Sequence, residues 1–305
     1  MEITSKRHPY KFYLSLIFYN LFFLGMGVTF LLASIRDKKD IDYYIFFVII
    51  TVATFLNIGY FKNAPIIILS NLGLMFKKKL YLWDELSSPK LTGKGDMIFT
   101  SQECATLTFG NTKTIKIFDD FYSNISEMKC FIQELVIDKK EKIEISIQEN
   151  DMIDIDREVM IYYKGNPLFS FRGLLMRAPI MYIVSIPFFS IKSINIKELL
   201  FFTPFFLIWF IMNSWMMCFF EISKKYFVVR NYYFFWIKKV FYLSEIEEVV
   251  FEQQRKQANK LKIITRTFNS KSYLAGSLTD KTWLAMKNDL DSKNIIVRNE
   301  CIPEN

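Results

Sequence analysis

The sequence predicts an α+β membrane protein in which two transmembrane helical hairpins are each followed by a small water-soluble, β-rich domain. Three observations predict this class: long uncharged apolar runs, short strand-like segments separated by turn residues, and a self-similarity at constant spacing. The composition agrees, because 51% hydrophobic and 23% charged residues in one chain of 305 indicate that apolar and charged blocks are separated along it.

Three runs without a charged residue are long enough to cross the hydrocarbon core of a bilayer, which takes about 20 residues in a helix. They cover residues 12–35, 43–61 and 199–220. In a water-soluble protein such a helix would be apolar on every side, which is rare outside large cores. The first run is expected to be retained rather than cleaved as a signal peptide, because it is too long for a signal core and a second run follows at once.

A fourth run, residues 179–191, is shorter and contains Pro179 and Pro187. It spans a bilayer if the helix extends over residues 174–194 and the side chains of Arg177 and Lys192 reach toward the headgroups. The alternative is a re-entrant or interfacial segment. The spanning helix is favoured because this run repeats the position of the first.

Few polar side chains interrupt the apolar runs. The amides of Asn20, Asn57 and Asn213 are expected to form hydrogen bonds between helices. The small and large residues expected to pack one helix against another are Gly25, Gly27, Trp209 and Trp215.

The self-similarity appears at an offset of 160 residues. It superposes the run at residues 43–61 on the run at 199–220, the run at 12–35 on the run that contains Pro179 and Pro187, and a soluble segment on another, without gaps. The identical pairs in the soluble segment are Asn71 with Asn231, Lys78 with Lys238, Lys79 with Lys239, and Glu85 with Glu245. The sequence therefore predicts two copies of one unit.

Short strand-like runs follow the apolar runs at residues 43–61 and 199–220, and each series ends in an amphipathic helix. The first series predicts a helix from Ser126 and strands at residues 66–69, 74–76, 80–83, 97–100, 105–109 and 114–118. The second predicts a helix capped by Thr279 and strands at residues 226–229, 233–237, 240–243, 261–265 and 272–274. Each series predicts a small sheet or barrel closed by its C-terminal helix.

These elements set the expected domain boundaries. Each hairpin precedes a β-rich domain. A linker with strands follows the first domain, and a short tail follows the second. The expected hairpins are residues 1–62 and 173–222, the domains 63–137 and 223–297, the linker 138–172 and the tail 298–305. In the linker, Ile143, Ile145 and Ile147 alternate with polar residues as in a strand.

Three segments carry a resemblance to a known family: Asn71-Leu-Gly73, then Leu80-Tyr-Leu-Trp-Asp-Glu-Leu86, then the helix from Ser126. With their counterparts in the second copy, they resemble the bacterial pleckstrin-homology-like membrane proteins, including the YcxB-like group. In that family a two-helix hairpin precedes a PH-like domain. The second copy departs from the pattern, with Leu243 where the first has Trp83 and Tyr233 where the first has Gly73. The resemblance implies a PH-like fold and no established activity.

The distribution of charge and the cysteines indicate on which side of the membrane the domains lie. Both domains follow an even number of crossings, so they share one side of the membrane, and Lys and Arg are modestly enriched on that side. None of the four cysteines is paired at metal or redox spacing, which fits a reducing compartment. We therefore expect a multi-pass protein of the inner (plasma) membrane with cytoplasmic domains.

The sequence contains no motif for catalysis, metal binding or a cofactor. Its one histidine, His8, cannot supply a zinc-protease pair, and no phosphate-binding glycine loop is present. No nucleic-acid motif accompanies the net charge of +8, so nucleic acid is not an expected partner. The candidate functional residues are basic side chains between early strands, where they could contact anionic lipid headgroups: Lys77, Lys78, Lys79, Lys238 and Lys239. The alternative is a solvated hairpin tip.

The leading hypothesis is a non-enzymatic, membrane-anchored binding or scaffold protein. Its expected partners are the lipid bilayer together with anionic headgroups, a protein partner or another copy of the chain. The alternative is a component of a transport or envelope-stress system, with a polar path past Asn57 and Asn213. A membrane enzyme using Glu85 and Glu245 is the least favoured hypothesis, because both residues follow a strand and can simply close a turn.

Overall fold

The computed structural model describes residues 2–37, 40–96, 101–110, 113–140, 158–185, 196–253 and 257–303. The chain divides into two compact units, Met1–Ile147 and Gln148–Asn305. Each unit combines mainly antiparallel sheets with helices, so the predicted α+β class is confirmed.

In the part of the first unit that the structure describes, there are two small sheets and three α-helices. In chain order its elements are β1 (Glu2–Thr4), α1 (Ser15–Asp37), α2 (Asp40–Asn63), β2 (Ile67–Ser70), β3 (Gly73–Phe76), β4 (Lys79–Leu82), β5 (Leu86–Lys90), β6 (Lys94–Asp96), β7 (Ser101–Phe109), β8 (Lys113–Phe118) and α3 (Ile125–Ile132). The first sheet has the order β1-β2-β3-β4. In the second, β7 pairs with β5 and β6 along one edge and with β8 along the other.

The helix pair α1–α2 connects two neighbouring strands of the first sheet. Ile3 of β1 pairs with Leu69 of β2, and both helices lie between these strands in the chain. A π-helical turn, Pro9–Leu14, leads into α1, and the His8 side chain accepts hydrogen bonds from the first free N–H groups of this turn. The predicted hairpin therefore begins inside the sheet, at a strand that the sequence analysis missed.

Both helices have the character expected of the first two apolar runs. The segments Pro9–Asp37 and Ile41–Asn63 are long and apolar enough to cross a membrane, and their large apolar side chains are mostly exposed. Nearly uniform apolar character around a helix is typical of a helix surrounded by lipid. These two predicted helices are confirmed.

Two asparagines form hydrogen bonds between α1 and α2. The Nδ2 of Asn20 donates to Oδ1 of Asn57 at 3.0 Å, and the Nδ2 of Asn57 donates to Oδ1 of Asn20 at 2.7 Å. The predicted hydrogen bond between helices is therefore confirmed for this pair. Gly27 packs closely, since a methyl group there would lie 3.3 Å from the ring of Phe46, whereas Gly25 faces open space.

The described residues of the second unit also form two sheets and three α-helices. Its elements are β9 (Ile161–Tyr163), α4 (Phe171–Ser185), α5 (Ile196–Trp215), β10 (Cys218–Ile222), β11 (Tyr226–Asn231), β12 (Lys238–Tyr242), β13 (Ile246–Glu252), β14 (Lys260–Thr265), β15 (Ser270–Leu274), α6 (Asp280–Ser292) and β16 (Ile296–Asn299). The sheets have the orders β12-β11-β10-β9 and β15-β14-β13-β16. Strand β16 is parallel to β13, and Trp283 of α6 lies fully buried in the core.

The predicted helix over residues 199–220 is wrong at its C-terminal end. Helix α5 ends at Trp215, and the remaining apolar residues belong to β10, all five residues of which are buried. The amide of Asn231 donates to the carbonyl of Ser214 at 2.9 Å, which satisfies a backbone group that the ending helix exposes. A strand buried on both faces has the same composition as a spanning helix, so the apolar run did not reveal the boundary.

Helices α4 and α5 bear out only part of the predicted second hairpin. Helix α4 has 15 residues and contains Pro179, and the rest of the predicted helix 174–194 lies largely outside the described residues. Among the residues whose side chains the structure describes, the apolar stretch of α5 covers Phe202–Trp215. The indole N–H of Trp209 donates to the carbonyl of Leu175 at 2.9 Å, as predicted for packing between helices.

The other polar and aromatic residues of α5 behave differently from the prediction. Asn213 donates to the carbonyl of Trp209 in its own helix. Trp215 contacts Phe234, which follows β11 in the chain, instead of a helix. Residues 233–237 were predicted as a strand but form the connection between β11 and β12. The predicted strands at 97–100 and 143–147 lie outside the described residues.

A buried carboxylate gives the second unit a predicted pH dependence. Glu252 lies 3.0 Å from the ammonium of Lys260 and 3.1 Å from that of Lys262. Burial alone would raise the pKa of Glu252, but the two lysines outweigh it and lower the pKa to about 2. A lowered pKa stabilises the fold above the unfolded-state value, near 4.5, and this contribution is lost as the pH falls toward 2.

Glu252→Gln is therefore expected to lower the free energy of unfolding at pH 7 by about 3 kcal/mol. The pH dependence of stability between about pH 5 and pH 2 should shrink by a similar amount. Urea unfolding of the second unit, followed by hydrogen exchange at several pH values, measures both. Glu247→Gln is the matched control, because Glu247 is an exposed residue of the same strand. Equal behaviour of the two variants would contradict the prediction.

Candidate functional site

In each unit, a helix pair connects two adjacent strands of the first sheet. The strand pairing shows which end of that sheet lies beside the helices. In the first unit, β2 begins at Ile67, shortly after α2 ends at Asn63. Ile67 pairs with Phe76, the last residue of β3. The turn after β3 therefore returns to the helix end of the sheet, about one strand spacing of 5 Å from β2. This turn consists of Lys77 and Lys78.

Both residues of this turn have a left-handed backbone. The φ angles are 51° at Lys77 and 66° at Lys78, and the flanking residues Phe76 and Lys79 pair across the turn. Such hairpin turns favour Asn and Gly, because other residues lose about 1 kcal/mol or more at positive φ. Two lysines here are not the choice that backbone conformation alone favours, which makes them candidates for a functional role.

The three candidate lysines of the first unit present their charge to solvent. Lys77, Lys78 and Lys79 are exposed, and none forms a salt bridge with another described residue. The ammonium of Lys77 lies 5.3 Å from the ring centroid of Phe76, and that of Lys79 lies 5.4 Å from that of Tyr81. The charges are therefore available to an external anion.

The second unit has the same relation between helices and lysines. Helix α5 ends at Trp215, β10 starts at Cys218, and Cys218 pairs with Asn231 at the end of β11. Strand β12 then starts at Lys238, so Lys238 and the next residue, Lys239, lie at the helix end of this sheet. Both side chains are exposed. The structure thus brings all five predicted site residues to the helix ends of their own sheets.

The opposite end of the same sheet supplies a comparison. Lys224 and Lys225 lie in the turn between β10 and β11, a full strand length from Lys238, and they are also exposed. A five-residue strand is about 16 Å long, which is twice the distance of about 8 Å over which salt screens a charge at physiological ionic strength. A surface beside the helices would therefore act on Lys238 and Lys239 but hardly on Lys224 and Lys225.

The two glutamates of the enzyme hypothesis, Glu85 and Glu245, each take part in a turn. The backbone carbonyls of Glu85 and Glu245 accept hydrogen bonds from the N–H groups of Gly110 and Arg266, each at 2.8 Å, so both residues close a turn. Within the described ranges, no group of three or more His, Cys, Asp or Glu side chains could hold a metal ion. An open cavity of about 250 Å³ in the second unit is lined by Phe171, Arg172, Gln253, Gln257, Ala258, Asn259, Ala275, Gly276 and Leu278.

The five lysines and the pair Glu85 and Glu245 can be picked out from the sequence, whereas the residues that line the cavity cannot. The lysines stand out by charge, but their position beside the helices follows only from the pairing of Ile67 with Phe76 and of Cys218 with Asn231. The sequence predicts a strand at residues 233–237, whereas in the structure these residues connect β11 to β12. Comparison of the sequence with protein-family models and with curated proteins finds no match to either.

Proposed function

We propose that this chain is a non-enzymatic, membrane-anchored binding or scaffold protein whose helix pairs hold the basic end of each first sheet against an anionic lipid surface. The observation that carries the proposal is topological. In each unit the helix pair connects two adjacent strands, and the exposed lysines lie at the end of the sheet where the helices leave it. The proposed surface is the cytoplasmic leaflet of the plasma membrane, in line with the modest Lys and Arg bias.

The proposal includes two copies of one unit, and matching details of the two sheets support it. The sheet orders β1-β2-β3-β4 and β9-β10-β11-β12 correspond strand by strand. A short 3₁₀ turn follows each fourth strand, Trp83–Glu85 in one unit and Leu243–Glu245 in the other. The next strand begins with a shift in register in both units, after Leu86 and after Ile246.

The strand register revises the alignment of the two copies. The offset of 160 residues fits the 3₁₀ turns, but Gly73 pairs with Leu82 as Tyr226 pairs with Tyr242. The counterpart of Gly73 is therefore Tyr226 instead of Tyr233. The shift arises because a two-residue turn joins β3 to β4, whereas residues 232–237 join β11 to β12.

A PH-like fold for each unit is part of the proposal. Two small, mainly antiparallel sheets that meet at a 3₁₀ turn, together with a helix, are compatible with the resemblance to the bacterial PH-like membrane proteins. In the second unit, α6 begins at a side-chain cap from Thr279, and its buried residues are Trp283, Met286 and Leu290. This agreement is architectural and carries no activity with it.

The proposal also takes α4 and α5 as a second membrane hairpin. Apolar side chains of α5 between Phe202 and Trp215 are exposed, with Phe205, Ile208 and Met212 all more than half exposed. The hydrogen bond from Trp209 to Leu175 joins the two helices. Exposed apolar side chains on a helix are stable in lipid and costly in water.

The experiment measures lipid preference around the purified full-length chain. Spin-labelled phosphatidylglycerol and phosphatidylcholine are compared in phosphatidylcholine vesicles, using the motionally restricted fraction of each lipid. Lys238→Gln with Lys239→Gln is expected to lower the association of phosphatidylglycerol several-fold, because each lysine near the surface contributes about 1 kcal/mol. Phosphatidylcholine should be unaffected.

The matched control is Lys224→Gln with Lys225→Gln, which removes the same charge from the far end of the same sheet. An equal loss of phosphatidylglycerol in both double variants would reduce the effect to net charge and overturn the proposed surface. Release of the chain from membranes by alkaline washing without detergent would overturn the anchoring itself. The triple variant of Lys77, Lys78 and Lys79 tests the first unit in the same way.

The transport alternative gains no support from the two asparagines that suggested it. The amide of Asn57 is hydrogen-bonded with that of Asn20, and the amide N–H of Asn213 is donated within its own helix. Polar groups that line a water-filled path keep donors and acceptors for water, whereas these amides are used in packing.

A further inference from the structure

Five consecutive aromatic residues, Tyr232 to Trp236, form most of the connection between β11 and β12. We refer to residues 232–236 as the aromatic loop. It follows Asn231, which pairs with Cys218 close to the end of α5, and it precedes Lys238 and Lys239. The loop therefore lies at the helix end of the sheet, together with the lysines of the candidate site.

The base of the aromatic loop is fixed by hydrogen bonds. The Oδ1 of the buried Asn231 accepts from the N–H groups of Tyr233 and Phe234 at 2.9 and 3.0 Å. The hydroxyl of Tyr232 donates to the carbonyl of Gly165 at 2.8 Å. An asparagine that accepts from the two following N–H groups is a common way to hold a turn. The orientation of the loop is thus determined by the sheet.

The tip of the loop exposes its largest apolar side chains. Phe235 is 84% exposed and Trp236 is 66% exposed. The rings of Phe234 and Phe235 each lie 5.1 Å from the ring of Trp236, so the tip is one aromatic cluster instead of separate side chains. An apolar cluster that a folded chain holds out from its surface marks a contact with something apolar.

This cluster is continuous with the apolar surface of α5. The ring of Tyr233 lies 5.8 Å from that of Phe210, and the ring of Phe234 lies 6.3 Å from that of Trp215. Trp215, the last residue of α5, is itself 60% exposed. Whatever surrounds the end of α5 therefore also reaches the loop.

The order of residues identifies the occupant as lipid. Aromatic rings with a polar edge, such as Tyr and Trp, favour the headgroup level of a bilayer, and lysines beside them reach the phosphates. Here the aromatic residues come first, next to a helix that the proposed function sets in the membrane, and Lys238 and Lys239 follow. A protein groove would not require this succession of apolar, aromatic and basic residues along one surface.

We infer that the aromatic loop inserts Phe235 and Trp236 into the interface of the bilayer beside α5. The inference rests on the proposed function, because it takes α5 as a membrane helix. The loop gives the second unit a further attachment that fixes how its sheet stands on the membrane. The corresponding turn in the first unit, Lys77-Lys78, has no aromatic residue and reaches only the headgroups.

The test uses full-length chain in phosphatidylcholine–phosphatidylglycerol vesicles, with Cys130→Ser and Cys301→Ser to remove the two partly exposed thiols. Nitroxide labels are attached at Trp236→Cys, at Lys224→Cys and at Phe205→Cys, in separate variants. Lys224 is the matched control at the far end of the same sheet, and Phe205 reports on α5. Collision with oxygen, which enters lipid, is compared with collision with a water-soluble nickel chelate.

The label at residue 236 is expected to lose nickel collisions and gain oxygen collisions relative to the label at residue 224. Collisions at residue 236 that match those at residue 224, with residue 205 in lipid, would overturn the inference and leave the membrane helix intact. A label at residue 236 shielded from both reagents would indicate a protein contact and would also overturn it. Nickel collisions at residue 205 would overturn the proposed function as well.

Discussion

Replacing Lys129 with methionine is expected to lower the stability of the first unit by about 3–5 kcal/mol, the cost of leaving one member of a buried ion pair without its partner. The ammonium of Lys129 lies 2.8 Å from the carboxylate of Asp119, and the two side chains are only 1% and 6% exposed. Lys129 lies on α3 and Asp119 directly follows β8, so this pair joins the helix to the sheet. Hydrogen exchange of β7, β8 and α3 should accelerate together.

Two further variants test the physical reason. Lys116→Met removes an exposed lysine from β8 in the same unit, and it should change exchange little. The double variant Lys129→Met with Asp119→Leu should recover much of the lost stability, because two packed apolar groups can replace a buried ion pair. If Lys129→Met behaves like Lys116→Met, the ion pair does not support the fold.

Trp283→Ala is expected to have a similarly large effect in the second unit, lowering its stability by about 3–5 kcal/mol. Trp283 is completely buried, and its ring lies 4.8 Å from that of Phe251 and 5.8 Å from that of Phe220. Phe220 belongs to the first sheet and Phe251 to the second. The indole therefore packs against both sheets, and its removal leaves a cavity between them.

Hydrogen exchange of β10 and β13 measures the effect in both sheets at once. Lys281→Ala is the matched control, since Lys281 is an exposed residue of the same helix. Trp283→Phe should cost less than Trp283→Ala, because a phenyl ring fills part of the space. Accelerated exchange in one sheet only would show that Trp283 does not hold the two together.

The sequence predicted best those elements whose signal is local. The first two helices follow from uncharged length, and the start of α6 follows from Thr279, whose side chain accepts from the N–H of Thr282. The sequence could not separate α5 from β10, because burial on both faces gives a strand the composition of a membrane helix. Residues 233–237 look like a strand by aromatic content, yet the side chain of Asn231 turns the chain there.

Two of the strands that the sequence did not predict depend on distant partners. Strands β1 and β16 are short, and each exists as a strand through pairing with β2 or with β13. The candidate site divides in the same way. Charge identified the five lysines, but only the register of strands far apart in the chain shows that they lie at the helix ends of their sheets.

In each unit a helix pair lies in the chain between two strands that pair with each other, so the helices are synthesised before the second of these strands. Ile3 cannot find Leu69, nor Tyr163 its neighbour Phe220, until the ribosome has produced both intervening helices. Each of these two sheets is therefore completed only after both of its helices have been synthesised. Under the proposed function, the helices of each unit are therefore available to the bilayer before the sheet that they interrupt is complete.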